Sequence, residues 1–222
     1  MTKLIKAVAF DMDGLMVNTE DIYDQVCETL LARRGGAFDL ELKLKMMGRP
    51  GPVAIEIMKS ERGLTDSVEE LQMEVETEFH AIMPEIVRPL RGLKKLLDFL
   101  ERNQIPKCVA TSSFRKHAHG VLRECRLEDR FDFVLTAEDV VNGKPSPDIY
   151  LLAASGFQID ADEMLVLEDS VQGSKAAVAA GAITVAVPGR HSVNCDYHHV
   201  LWVAAHLEDP LIYNLFDEQQ SS

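Results

Sequence analysis

Ile5-Lys-Ala-Val-Ala-Phe10, followed at once by Asp11-Met-Asp13, is the stretch whose reading decides the fold. A short apolar, β-branched run that stops abruptly at a carboxylate reads as a buried strand with a polar carboxyl end. The pattern recurs down the chain. Lys107-Cys-Val-Ala110 runs into Thr111-Ser112, and Phe131-Asp-Phe-Val-Leu135 ends near Thr136. Met164-Leu-Val-Leu167 runs into Glu168-Asp169, and Ile183-Thr-Val-Ala-Val187 ends at Pro188-Gly189. Leu201-Trp-Val203 is a sixth, shorter candidate. Helical patterns fill the gaps. Leu93, Leu96, Leu97 and Leu100 recur at helical spacing before Pro106, and Ser113, Asp148 and Ser170 stand where helix caps belong, with Gly156 and Gly181 as stops. Strands alternating with helices predict an α/β fold with a doubly wound, mainly parallel sheet covered on both faces.

Residues 17 to about 85 break this rhythm and show no convincing strand. Val68, Leu71, Val75, Phe79 and Ile82 form a helical stripe, and Ser67 with Glu70 has the form of a capping box. Gly35-Gly36 and Gly48-Arg-Pro-Gly-Pro52 separate further helices. The expected organisation is a core domain of residues 1–16 and 89–222 interrupted by a small helical domain, residues 17–88. The chain would cross between them near Val17-Asn18 and Arg88-Pro89.

Composition narrows the function classes. A net charge of −13 leaves no basic surplus to displace counterions, so nucleic acid and anionic membrane surfaces are not the expected partners. From Glu61 to Glu85 eight acidic residues face one base, Arg62, which predicts a solvated acidic helix face. The cysteines (Cys27, Cys108, Cys125 and Cys195) form no C-x-x-C pair, and Cys108 and Cys125 read as small core residues. A reducing cytosol is the expected setting. The N-terminus is not patterned as a signal peptide, and no apolar run reaches the ~18 residues of a membrane span.

In an open parallel sheet, ligands bind at the carboxyl ends of the strands. Asp11 and Asp13, Thr111 and Ser112, Lys144, and Glu168 with Asp169 all fall there. Each has an ordinary structural reading: a helix cap, a turn residue, an exposed loop lysine, an acidic helix start. Four signals in order at the same level of the sheet favour a joint one. Converging carboxylates repel and raise one another's pKa, and a hard, oxygen-seeking cation such as Mg²⁺ relieves this while leaving room for a phosphate. Lys144 and the hydroxyls would meet the same anion, a set suited to phosphoryl transfer.

Phe10-Asp-Met-Asp-Gly-Leu15, Ala110-Thr-Ser112, Gly143-Lys-Pro-Ser-Pro-Asp-Ile149 and Leu167-Glu-Asp-Ser170 resemble the four motifs of the haloacid dehalogenase-like hydrolase superfamily, in order, from Ile5 to Pro188. The resemblance implies a Rossmann-like doubly wound parallel sheet core with a small inserted α-helical cap, similar to the β-phosphoglucomutase-like branch. It implies that Asp11 is the nucleophile and that Asp13 is the general acid and then base. It also implies that Asp11, the Asp13 carbonyl and Asp169 hold Mg²⁺, with Glu168 a ligand or its outer partner. Thr111 or Ser112 would hold phosphoryl oxygens, Lys144 would neutralise them, and Lys144-Pro145 is expected to be cis.

Asn18 stands where relatives usually carry Asp, and Arg49 is a candidate substrate contact, as is Asn18 itself. Tyr23, Met47 and Gly51 occupy positions where β-phosphoglucomutase carries its cap histidine, lysine and arginine. The expected function is therefore a Mg²⁺-dependent phosphatase for a small phosphorylated metabolite, a sugar phosphate or nucleoside monophosphate. A hexose-phosphate mutase is the alternative and a non-catalytic binding relative a third reading. Monomer and homodimer both stay open. His117 and His119 read as surface residues of a helix, and His191, His198 and His199 as a solvated loop.

Overall fold

The computed structural model describes residues 4–46, 49 and 51–217. Met47 lies outside the described residues. Contacts divide the chain into two units, one holding the chain up to Asn18 and from Arg88 onward, the other Thr19–Val87.

The first unit is built on β1 (Ala7–Phe10), β2 (Lys107–Ala110), β3 (Phe133–Leu135), β4 (Met164–Glu168), β5 (Ile183–Ala186) and β6 (Trp202–Val203). They form one parallel sheet in the order β3-β2-β1-β4-β5-β6. The fold is the expected Rossmann-like α/β architecture. β1 and β3 each begin two residues later than their apolar runs suggest. Lys6 still donates its N–H to the Glu163 carbonyl (2.8 Å), and Asp132 donates to Lys107, so the approaches are bonded without being ladder.

Strand order reverses between β1 and β4, which places the topological switch point there. Register aligns the strand ends: Phe10 faces both Val109 and Leu167, and Ala110 faces Leu135. Asp11, Thr111, Thr136 and Asp169 therefore emerge on one edge of the sheet. Among the described residues five α-helices belong to this unit: α5 (Leu93–Arg102), α6 (Arg115–Glu124), α7 (Asp148–Phe157), α8 (Val171–Ala179) and α9 (Pro210–Asp217), numbered after those of the other unit. Small residues let α7 and α8 approach closely: Ala153, Ala154, Ala176 and Ala177 pack with Ala9 and Val166 in one buried cluster.

Three cap assignments need correction. Ser170 does cap α8, accepting from Gly173 N–H (3.0 Å). Ser113 does not cap α6, whose N-cap is Phe114. Asp148 is the first residue of α7, behind Pro147, and accepts instead from Ser146 Oγ and Asn142. α7 runs past Gly156 and closes at Gln158, which takes the left-handed conformation (φ 59°).

The second unit holds α1 (Thr19–Arg33), α2 (Leu40–Met46), α3 (Gly51–Arg62) and α4 (Val68–Ile86). The buried stripe of α4 is Leu71, Val75, Phe79 and Met83, so Met83 rather than Ile82 continues it. The acidic run of α4 is not wholly solvated. Arg34, just past the end of α1, pairs with Asp66 (2.9 Å) and Glu74 (2.6 Å), and Arg33 pairs with Glu78. The capping box is present: Ser67 Oγ accepts from Glu70 N–H (3.1 Å) and Ser67 N–H donates to the Glu70 carboxylate (2.8 Å). Ser67→Ala should lower stability by about 1 kcal/mol, read from urea unfolding followed by far-UV circular dichroism; an unchanged midpoint would show the cap is idle.

Val17 and Asn18 stay with the α/β unit for a visible reason. Val17 bridges Pro89, and Asn18 exchanges bonds with Arg88: its N–H donates to the Arg88 carbonyl (3.3 Å) and its Oδ1 accepts from Arg88 N–H (2.7 Å).

Candidate active site

Asp11 follows β1 directly, with its N–H donated to the Leu167 carbonyl (3.0 Å), which fixes it against β4. Its Oδ1 accepts from Lys144 Nζ at 2.6 Å. Burial pushes its carboxyl up; Lys144 opposes this, Glu168 and Asp13 add to it, and the net direction is upward.

Lys144 reaches the site from the loop before α7, across a cis Lys144-Pro145 peptide. Its three donors are all used, on Asp11, the Ala110 carbonyl (2.9 Å) and Glu168 Oε1 (2.7 Å). Burial alone would favour the neutral amine, but Asp11 and Glu168 outweigh it and hold the ammonium well above the usual lysine range. Nζ also stands 5.0 Å from the Tyr150 ring centroid.

Glu168 is fully buried, and its carboxylate takes four donors. Oε1 accepts from Lys144 Nζ and Tyr150 OH (2.7 Å each), and Oε2 from Ser170 N–H (3.1 Å) and Ser170 Oγ (2.9 Å). That matches the roughly four lone-pair sites of a carboxylate. The group also lies against Gly173 of α8, where a Cβ would stand 1.6 Å from Oε1, so only glycine fits.

Asp169 follows, 8% exposed, with its carboxylate over Gly14; a Cβ on Gly14 would stand 2.4 Å from Asp169 Oδ2. Ligand oxygens of Asp11, Glu168 and Asp169 all lie within 4.8 Å of one another. These are hard, anionic oxygen donors without sulfur or imidazole, a set that fits Mg²⁺. Proximity admits all three as ligands; the saturated hydrogen bonding of Glu168 favours Asp11 and Asp169.

Asp13 points toward the end of β2. Its Oδ2 accepts from Ser113 Oγ (2.7 Å) and Thr111 Oγ1 (3.2 Å), and His117 Nε2 stands 3.7 Å from Oδ1. Thr111 is buried and turned inward, whereas Ser112 is exposed.

The sheet edge thus brings together Asp11, Asp13, Thr111, Lys144, Glu168 and Asp169. Asn18 is 3% exposed, and its side chain is engaged at the chain crossing, where its Oδ1 accepts from Arg88 N–H. Arg49 lies in the helical unit, exposed between α2 and α3. Two readings change. Ser113 is a partner of Asp13, and His117, far from being a surface residue, has a side chain only 12% exposed beside the same carboxylate. Their place just past the second strand, a few residues from Thr111, was the available signal. Tyr150 carried no such signal: it reads as one more apolar position of α7. His198 is exposed and paired with Asp196 (2.7 Å), and His199 Nε2 meets Ser174 Oγ (2.9 Å).

Residues 8–187 match the family model described as haloacid dehalogenase-like hydrolase. A phosphorylated carbohydrates phosphatase of Thermotoga maritima is 31% identical over 177 residues, 80% of this chain and 82% of that protein. The (DL)-glycerol-3-phosphatase 2 of Arabidopsis thaliana is 37% identical over 192 residues, 83% of this chain and 80% of that protein. The crystal structure of beta-phosphoglucomutase from Clostridium difficile shares the fold with a TM-score of 0.80 at 21% identity, covering 99% of this chain and 100% of that one. The chain belongs to the haloacid dehalogenase-like hydrolases, in the β-phosphoglucomutase-like branch, and stands there among the phosphoric monoester hydrolases.

Proposed function

We propose that this chain is a Mg²⁺-dependent phosphatase that cleaves a small phosphorylated metabolite through an aspartyl-phosphate on Asp11. The observation that carries the reading is the placement of Asp11 between a fully committed lysine and a second carboxylate, Asp13, which the hydroxyls of Ser113 and Thr111 hold.

Asp11 attacks phosphorus with a carboxylate oxygen, and the bond to the leaving oxygen breaks. Asp13 gives its proton to that oxygen, then takes one from the water that attacks the aspartyl-phosphate, releasing phosphate and the free Asp11 carboxylate. Ser113 and Thr111 orient Asp13 for both transfers. Lys144 offsets negative charge beside Asp11, and Ser112, exposed just past β2, is the hydroxyl assigned to phosphoryl oxygens in this reading. Mg²⁺, held by Asp11, Asp169 and the Asp13 carbonyl, would supply positive charge to the phosphoryl group. Glu168 is the counter-ion that aims Lys144.

Tyr23, at the mutase histidine position, stacks on Phe79 with ring centroids 4.5 Å apart. Its commitment to packing favours a phosphatase over a mutase. The substrate classes to test follow from the relatives: phosphorylated carbohydrates and glycerol phosphate, and pseudouridine 5′-phosphate from a probable phosphatase of Saccharomyces cerevisiae. A reducing cytosol is part of the reading, because Cys27, Cys108 and Cys125 are buried free thiols. No helix among the described residues is long and apolar enough to cross a membrane.

Phosphate release from an aryl phosphate and from this panel should require Mg²⁺ and stop in EDTA. Isomerisation of glucose 1-phosphate without net phosphate release would overturn the assignment.

A further inference from the structure

The connection from β5 to β6, residues 187–201, contains no helix or strand, yet it is anchored by side chains. Ser192 is buried and its Oγ accepts from Gly189 N–H (3.1 Å), closing a turn. That turn abuts the first motif: a Cβ on Gly189 would stand 3.2 Å from the Gly14 carbonyl oxygen. His199 meets Ser174 of α8 (2.9 Å). Between these points lies Tyr197, 7% exposed, whose hydroxyl donates to the backbone carbonyl of Asp169.

Asp169 occupies a single link between the end of β4 and the cap of α8, Ser170. On the preceding residue, the Glu168 carbonyl accepts from Val187 N–H (2.7 Å), the last sheet-like bond toward β5. The Asp169 carbonyl lies beyond the ladder, so the Tyr197 hydroxyl stands where a strand neighbour would otherwise donate. A phenol is rigid, with its reach set by two torsions, and it fixes the peptide plane that aims the Asp169 carboxylate over Gly14.

We propose that Tyr197 is a positioning residue for the metal site, holding Asp169 in its ligating orientation through the backbone. The inference rests on the phosphatase reading only through the assignment of Asp169 as a Mg²⁺ ligand. Partners one bond removed from a ligand typically set metal affinity by ~10–100-fold. Removing the hydroxyl keeps every charge and nearly all of the packing, so the effect is geometric rather than electrostatic.

The test is titration of the purified, metal-free protein with MgCl₂ in a calorimeter, without substrate. Tyr197→Phe should raise the Mg²⁺ Kd by about tenfold or more, and raise the Mg²⁺ concentration for half-maximal turnover in parallel. KM for the substrate at saturating Mg²⁺ should change less than twofold, a split that general loosening would not produce. Tyr213→Phe is the control. It removes another phenolic hydroxyl of the same unit, on α9, which has no hydrogen-bond partner, and it should leave the Kd unchanged. A Kd for Tyr197→Phe within twofold of wild type overturns the proposal, as does an equal rise in the control. If wild type itself binds no Mg²⁺, the metal reading of the site fails instead, and the two failures are told apart.

Discussion

Asp11→Asn should abolish phosphate release while leaving a folded protein. The expected loss is on the order of 10⁴-fold or more, the scale reached when a nucleophile that forms a covalent intermediate is removed. An amide oxygen is too weak a nucleophile to form the aspartyl-phosphate, and the carboxylates of Asp13 and Glu168 are engaged elsewhere. Asp13 is turned to Ser113 and Thr111, and Glu168 is saturated by Lys144, Tyr150 and Ser170.

The fold should survive for an electrostatic reason. In the wild-type site, one buried ammonium faces two buried carboxylates, Asp11 and Glu168. Burial opposes the ionised form of Asp11. Replacing it with a neutral isostere leaves Lys144 and Glu168 as a balanced pair, and the Asn oxygen can still accept from Nζ. The thermal midpoint in EDTA should therefore match or exceed that of wild type. Rapid acid quench with a phosphoryl-labelled substrate should leave label on wild-type protein and none on the variant. Turnover above about one hundredth of wild type, or label retained on the variant, removes Asp11 from the nucleophile's role.

What could be read from sequence, and what could not, divides along physical lines. Asp11, Thr111 and Glu168-Asp169 were legible because parallel strands announce themselves as apolar runs, and whatever ends such a run stands at the binding edge. Lys144 was legible from its motif. Contacts made through helices and loops left no comparable trace. Ser113 follows a strand and precedes a helix, so its hydroxyl could serve the helix or the site; the backbone gave the cap position to Phe114 and freed Ser113 for Asp13. Tyr150 is 18 residues from Glu168 and Tyr197 is 28 from Asp169, and a tyrosine in an apolar setting does not declare where its hydroxyl points. The acidic run of α4 misled for a similar reason. Charge counting sees only the acidic run itself, whereas Arg33, the last residue of α1, and Arg34 just after it arrive from another part of the chain.

Lys144→Met should be the most damaging single change to stability in this site, and it should also inactivate. Met keeps the length and apolar stem but removes the ammonium, leaving Asp11 and Glu168 buried as like charges with no cation between them. Deleting one partner of a buried pair typically costs about 3–5 kcal/mol, and unfolding in EDTA should show a loss of that size. EDTA matters, because a divalent cation would replace part of the missing charge. The Ala110 carbonyl loses a donor as well. A second substitution separates the structural from the chemical part. Lys144→Met with Glu168→Gln removes the uncompensated carboxylate, while the amide oxygen can still accept from Ser170 and the amide NH2 can donate to the Tyr150 hydroxyl oxygen. The double variant should recover at least half of the lost stability, a non-additivity expected for groups in direct contact. It should recover no activity, because nothing then offsets charge beside Asp11. If the double variant is as unstable as Lys144→Met, repulsion between Asp11 and Glu168 is not what Lys144 relieves. If it regains turnover, Lys144 acts on the fold alone and the charge it brings to the phosphoryl group is dispensable.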